Sequence, residues 1–131
     1  MIPRVQATKI PEILSACDAG FISFNKDPLW EMTIPAKLQS YMACGKAIVA
    51  SASGETKRII EDAQCGICCE IGNSEALAEG IRSAMRKDNS EMGIRGRTYF
   101  IQHFEKTKLM DEMDAEIATI MSNNRLQRVT Q

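Results

Sequence analysis

The segment Thr33-Ile-Pro-Ala-Lys-Leu-Gln-Ser-Tyr-Met-Ala-Cys-Gly-Lys-Ala-Ile-Val-Ala-Ser51 constrains the fold of this chain more than any other. It reads as a polar loop, a helix opened by Pro35 in its first turn, a tight turn capped by Gly45, and a buried strand over Ala47–Ala50. Proline lacks an N–H and suits a helix start, and glycine takes the left-handed conformation that ends one. Another apolar run, Phe21-Ile-Ser-Phe24, precedes the segment, and Ser53-Gly-Glu-Thr56 opens a further helix after it. Strand, helix and strand joined by short links make a parallel right-handed unit. Two helix N-termini then emerge side by side from one sheet edge. Their unpaired N–H groups and positive dipole ends favour a phosphate there.

The rest of the chain extends the same α/β alternation. Pro11–Cys17 carries Ile10, Ile13, Leu14 and Cys17 at helical spacing, and Asp18-Ala-Gly20 is expected to end that helix. Phe21–Phe24 reads as a short strand of the fully buried type. A polar loop follows from Asn25 to Thr33, and the first helix of the opening segment runs to about Cys44. The next helix spans Glu55 to Ala63, and a third strand spans Gly66–Glu70. Ser74 is the expected cap of a helix bearing Leu77, Ala78, Ile81, Ala84 and Met85. Two later helices carry Met92, Ile94, Tyr99 and Phe100, then Leu109, Met113, Ile117 and Ile120. The expectation is one domain over 1–131 with a flexible polar tail over 123–131. About three strands is few for such a sheet, so the chain reads as a partial Rossmann-like parallel sheet, the second half of a larger domain.

Composition excludes several classes. Sixteen Lys and Arg against 17 Asp and Glu give a net charge of -1, which leaves no electrostatic case for nucleic acid. No apolar run approaches the length of a membrane span and no signal peptide opens the chain, so a cytoplasmic protein is expected. The odd count of five cysteines fits free thiols. Cys65-Gly-Ile-Cys68-Cys69 contains a C-x-x-C, but a structural zinc needs two further ligands, and the one histidine, His103, stands in a later helix. The cysteines read instead as small apolar residues around a strand, and neither a metal nor a cofactor is expected.

Taken together, Ala16-Cys-Asp18, Thr33-Ile-Pro-Ala-Lys37, Tyr41-Met-Ala-x-Gly-Lys46, Gly54-Glu55, Cys65-Gly66 and Met92-Gly-x-x-Gly-Arg97-x-Tyr99 resemble the GT-B glycosyltransferases. The pattern is similar to the group-1 retaining family in particular, over about Ile10 to Ile117. The resemblance implies the distal, C-terminal half of the domain that holds a nucleotide-diphosphate sugar. It implies transfer of a sugar (a hexosyltransferase type of reaction) to a glycan or lipid-linked acceptor in polysaccharide biosynthesis, without a metal. The acceptor-binding N-terminal domain would be missing, and no catalytic residue is carried over. Donor contacts fall on Thr33, Ile34, Pro35, Lys37, Ser40, Gly54 and Glu55. Thr33 would donate its hydroxyl to a phosphate oxygen, and Lys37 would reach the diphosphate as a mobile point charge. Ser40 stands where the family has a ribose-binding glutamate, and a serine offers only one short hydroxyl there. The resemblance implies that the full-length protein works in the cytoplasm or at the inner face of the membrane.

Several residues carry two readings. Glu55 is either an acceptor for a sugar or ribose hydroxyl or a first-turn acid that stabilises its helix dipole. Trp30 either stacks on a base or sugar or packs on its own domain. Lys37 is otherwise a solvated surface lysine. His103 reads as an ordinary helix-end residue. The apolar stripe of the last helix, with Met110, Met113 and Met121, is a candidate face for the missing partner domain or for a homodimer. Against the transferase reading stand a stand-alone nucleotide-binding module that has lost its chemistry and a structural module that associates through its last helix.

Overall fold

Three short apolar runs pair in parallel in a computed structural model that describes residues 5–86 and 89–129. In chain order the elements are α1 (Ile10–Ser15), β1 (Ala19–Ser23), α2 (Pro28–Glu31), α3 (Ala36–Ala43), β2 (Ala47–Ser51), α4 (Gly54–Asp62), β3 (Gly66–Cys69), α5 (Ser74–Arg86), α6 (Ser90–His103) and α7 (Lys106–Val129). The strand order is β1-β2-β3, with Phe21 opposite Val49 and Val49 opposite Ile67. The fold is α/β, a three-stranded parallel Rossmann-like sheet with flanking helices. Thr130, Gln131 and the side chains from 123 onward lie outside the described residues, and the expected tail falls there; the helical backbone of α7 reaches Val129.

The central strand β2 is buried at all five positions, as a strand covered on both faces should be. Ile22, Leu38, Met42, Ile48, Ile59, Ile60 and Cys65 form the core beneath α3, α4 and α6. On the opposite face Phe21 and Val49 border a recess together with Ile81, Ala84 and Met85 of α5. Helix α5 packs over β2 and β3 and leaves β1 uncovered on that side. Here the structure corrects the sequence reading of a fully buried strand, because Phe21 is 47% exposed and burial alternates along β1. An edge strand with one covered face alternates. The strand also starts two residues early, since Ala19 and Gly20 pair with Ala47 and Ile48 instead of ending a helix. The ring of Tyr41 lies over Gly20 where any Cβ would collide with it, and its hydroxyl donates to the Phe21 carbonyl at 3.4 Å.

Two further boundaries differ. Pro35 is the extended residue before α3, with φ -73° and ψ 138°, instead of a first-turn residue. Its fixed φ suits both places, and its carbonyl accepts the Leu38 N–H at 2.9 Å. Asn73, not Ser74, caps α5, through a 2.9 Å bond from the Ala76 N–H to its side-chain carbonyl.

The Gly-x-x-Gly-Arg run is a docking face. Gly93 lies against the Gly45 carbonyl and Gly96 against Cys65 and Met42, so α6 seats directly on the turn between α3 and β2. From α6, Arg95 donates to the Gln64 carbonyl at 2.9 Å and Arg97 to the Ala43 carbonyl. Lys46 donates to the carbonyls of Ser15 and Cys17 at 3.3 and 2.8 Å. Cations at helix C-terminal carbonyls satisfy groups that the helix leaves open. These basic residues therefore hold the ends of α4, α3 and α1 in place.

Candidate functional site

Because the strands run parallel, Ser23, Ser51 and Cys69 end at one sheet edge. The loops beyond them carry the N-termini of α2, α3, α4 and α5. Every helix leaves its first N–H groups without a helical partner. At α2 the Asp27 carboxylate accepts the Leu29 N–H at 2.9 Å, and at α5 Asn73 serves the same purpose. No side chain caps α3 or α4, since Pro35 has no capping group and Ser53 makes no such bond. The two open N-termini are the pair at which the sequence raises the expectation of a phosphate.

They are fastened to each other. The buried hydroxyl of Thr56, in the first turn of α4, donates to the Thr33 carbonyl at 3.0 Å. Gly54 has φ +58° and lies beneath the Glu31 backbone, whose carbonyl oxygen would stand 2.0 Å from a Cβ there. The structure thus brings Thr33, Ile34, Pro35 and Gly54 together. The close approach that Gly54 permits is made by the chain itself. Lys37 is exposed in the first turn of α3 and makes no ion pair among the described residues.

Local bonds engage the polar candidates. Thr33 donates its hydroxyl proton to the Leu29 carbonyl at 2.7 Å, and Ser40 donates to the Ala36 carbonyl one turn back at 3.0 Å. Glu55 is gripped by Arg58, with Nη2 to Oε2 at 2.6 Å and Nε to Oε1 at 3.1 Å. That hydrogen bonding holds the Glu55 carboxyl below the usual carboxylate range. Arg58 also meets Asp62 at 3.0 Å. Glu55 therefore sits in the first turn of α4 with its charge already partnered.

Two of the recesses that open at this edge share Lys26. One, of about 510 Å³, is lined by residues that include Ser23, Asn25, Lys26, Ser51 and Asn73. The other, of about 350 Å³, is bordered by Lys26, Glu31, Ser53 and Lys57. Lys26 lines both and was not among the residues picked from the sequence. Its signal was positional, since it follows β1 by three residues, where open α/β sheets place their ligands.

Other candidates resolve as structure. Trp30 stacks on Phe24 with centroids 5.0 Å apart and planes 6° apart. His103 lies against Tyr99 at 4.1 Å. Cys65 is fully buried, and burial pushes its thiol up to about 11. Cys68 and Cys69 donate to the carbonyls of Ala52 and Ala76 at 3.5 and 3.3 Å. Among the described residues, no cluster of His, Cys, Asp and Glu could hold a metal ion, and no helix is long and apolar enough to cross a membrane.

Neither a curated protein nor a solved structure matches the chain. The family model described as glycosyl transferases group 1 matches residues 1–99, which takes in all three strands, both open helix N-termini and the glycine face of α6. The chain belongs to the group 1 glycosyl transferases.

Proposed function

We propose that this chain is the donor-binding portion, the distal C-terminal half, of a retaining GT-B enzyme. The parent transfers a sugar from a nucleotide-diphosphate donor to a glycan or lipid-linked acceptor in polysaccharide biosynthesis, at the cytoplasmic face of the membrane. The observation that carries the reading is the pair of uncapped helix N-termini tied together at Thr33 and Thr56, with Lys37 exposed beside them. Backbone N–H groups at two dipole ends would receive the diphosphate, and Lys37 would neutralise charge growing on it as the sugar departs. The acceptor and the rest of the cleft would come from an N-terminal domain, so the chain alone turns over no substrate. Calorimetry with UDP, GDP and ADP tests the proposal. Saturable binding of at least one is expected, weakened about fivefold by Lys37→Ala, as suits an exposed charge-assisted contact of about 1 kcal/mol. Absence of binding at millimolar nucleotide would sink it.

A second reading, self-association, is favoured by α7. Leu109, Met110, Met113, Ile117, Ile120 and Met121 are each 43–58% exposed along it, at spacings that form one stripe. The expected result is a homodimer by sedimentation that Ile117→Asp returns to monomer. A wild-type chain that stays monomeric at tens of micromolar, a range of about 10⁻⁵ M, rules this reading out.

A further inference from the structure

We infer that Thr56 is a positioning residue, whose buried hydroxyl sets the donor-facing conformation of segment 29–35. The inference rests on the donor-binding reading and adds to it a residue that touches no ligand. Thr56 is 0% exposed, yet its hydroxyl reaches 23 residues back in sequence to the Thr33 carbonyl. The segment's other hydrogen bonds are local. Trp30 N–H donates to Asp27, Thr33 N–H to Trp30 and the Thr33 hydroxyl to Leu29. Such bonds shape the turn but do not place it on the domain.

Apolar burial holds the segment weakly. Leu29 is 62% exposed, Met32 77% and Ile34 37%. The Trp30–Phe24 stack anchors its front end. At its back end, next to the start of α3, the anchors on α4 are the Thr56 bond and the close passage of Glu31 over Gly54. A single hydrogen bond from a buried donor is then a large fraction of what docks this stretch. Removing the hydroxyl leaves the Thr33 carbonyl without its buried donor and populates undocked conformers. Apparent affinity then falls in proportion to the docked fraction.

The test replaces Thr56 with valine, which keeps the shape and removes the hydroxyl, and with serine, which restores it. Nucleotide affinity, measured by calorimetry with UDP, GDP and ADP, is expected to fall about tenfold in Thr56→Val and to return within about twofold of wild type in Thr56→Ser. Amide exchange of residues 29–35 should quicken in the valine variant and slow again at saturating nucleotide. A purely structural role would lower the unfolding midpoint and leave affinity and local exchange unchanged. Valine and wild-type chains with equal affinity, or a serine variant that fails to recover, overturn the inference. Should the valine variant not fold, Thr56→Ala set against Thr56→Ser isolates the hydroxyl, since those two side chains differ by that group alone. A wild-type chain that binds none of the three nucleotides overturns the donor-binding reading; the exchange of residues 29–35 then decides the role of Thr56, with quickening for it and no change against it.

Discussion

Gly93→Ala should lower the stability of this chain by about 3 kcal/mol, the upper end of what overpacking a core contact costs. In a bare helix the same change stabilises by roughly 0.5–1 kcal/mol, because alanine gives up less backbone freedom than glycine. The sign of the result therefore separates the two accounts. Gly93 lies in α6, and a Cβ on it would stand 1.9 Å from the Gly45 carbonyl oxygen and 2.8 Å from its carbon. Gly45 cannot easily yield, since it turns the chain at φ +64° and leads directly into the fully buried β2. Helix α6 must lift instead. Lifting it draws Tyr99 and Phe100 away from the core and pulls Arg95 and Arg97 off the carbonyls of Gln64 and Ala43. Chemical denaturation followed by circular dichroism measures the effect. A midpoint equal to or above that of wild type would show that α6 does not depend on the close contact.

That contact also marks where sequence stops informing structure. Met92-Gly-x-x-Gly-Arg97 is visible as a pattern, but its meaning is a backbone-to-backbone approach between residues 48 positions apart, and nothing local encodes it. The Thr33–Ser51 stretch is the opposite case. The proline before α3, the glycine at φ +64° after it and the apolar run of β2 are local devices, and each acts in the structure close to where it was read. Adjacency of the two helix N-termini was legible too, because it follows from parallel topology. Exposure of Phe21 was not, since a strand's burial depends on its neighbours and β1 has a strand on one side only. Polar chemistry at the candidate site was legible in kind but not in engagement. The Glu55–Arg58 pair stands at i,i+3 and the Ser40–Ala36 bond at i,i-4, spacings that any helix brings together. Thr56 gave no signal, because a threonine in a helix's first turn has many uses, and its bond to residue 33 exists only in three dimensions.

Gly54→Ala should weaken nucleotide binding more than tenfold while the core stays folded, a pattern opposite to that of Gly93. Two penalties coincide at Gly54. Its φ of +58° costs an L-residue about 1 kcal/mol, and the new Cβ would fall 2.0 Å from the Glu31 carbonyl oxygen and 2.4 Å from its Cα. The difference lies in what gives way. Opposite Gly93 is a turn that enters the central strand; opposite Gly54 is an exposed segment whose Leu29 and Met32 hold little buried area. Moving that segment outward is the cheaper response and leaves Ile59 and Ile60, on the inner face of α4, in the core. The displacement carries Glu31 off α4 and stretches the Thr56–Thr33 hydrogen bond, so the N-termini of α3 and α4 lose their fixed relation. A diphosphate spanning both would then have to re-form that relation on binding, and its affinity falls by the fraction of chains already arranged. Stability should drop by only about 1–2 kcal/mol, because much of the collision is relieved at the surface. Calorimetry alongside a denaturation curve decides it. Unchanged affinity would show that the segment over Gly54 plays no part in the site, and loss of the folded state would show that it belongs to the core.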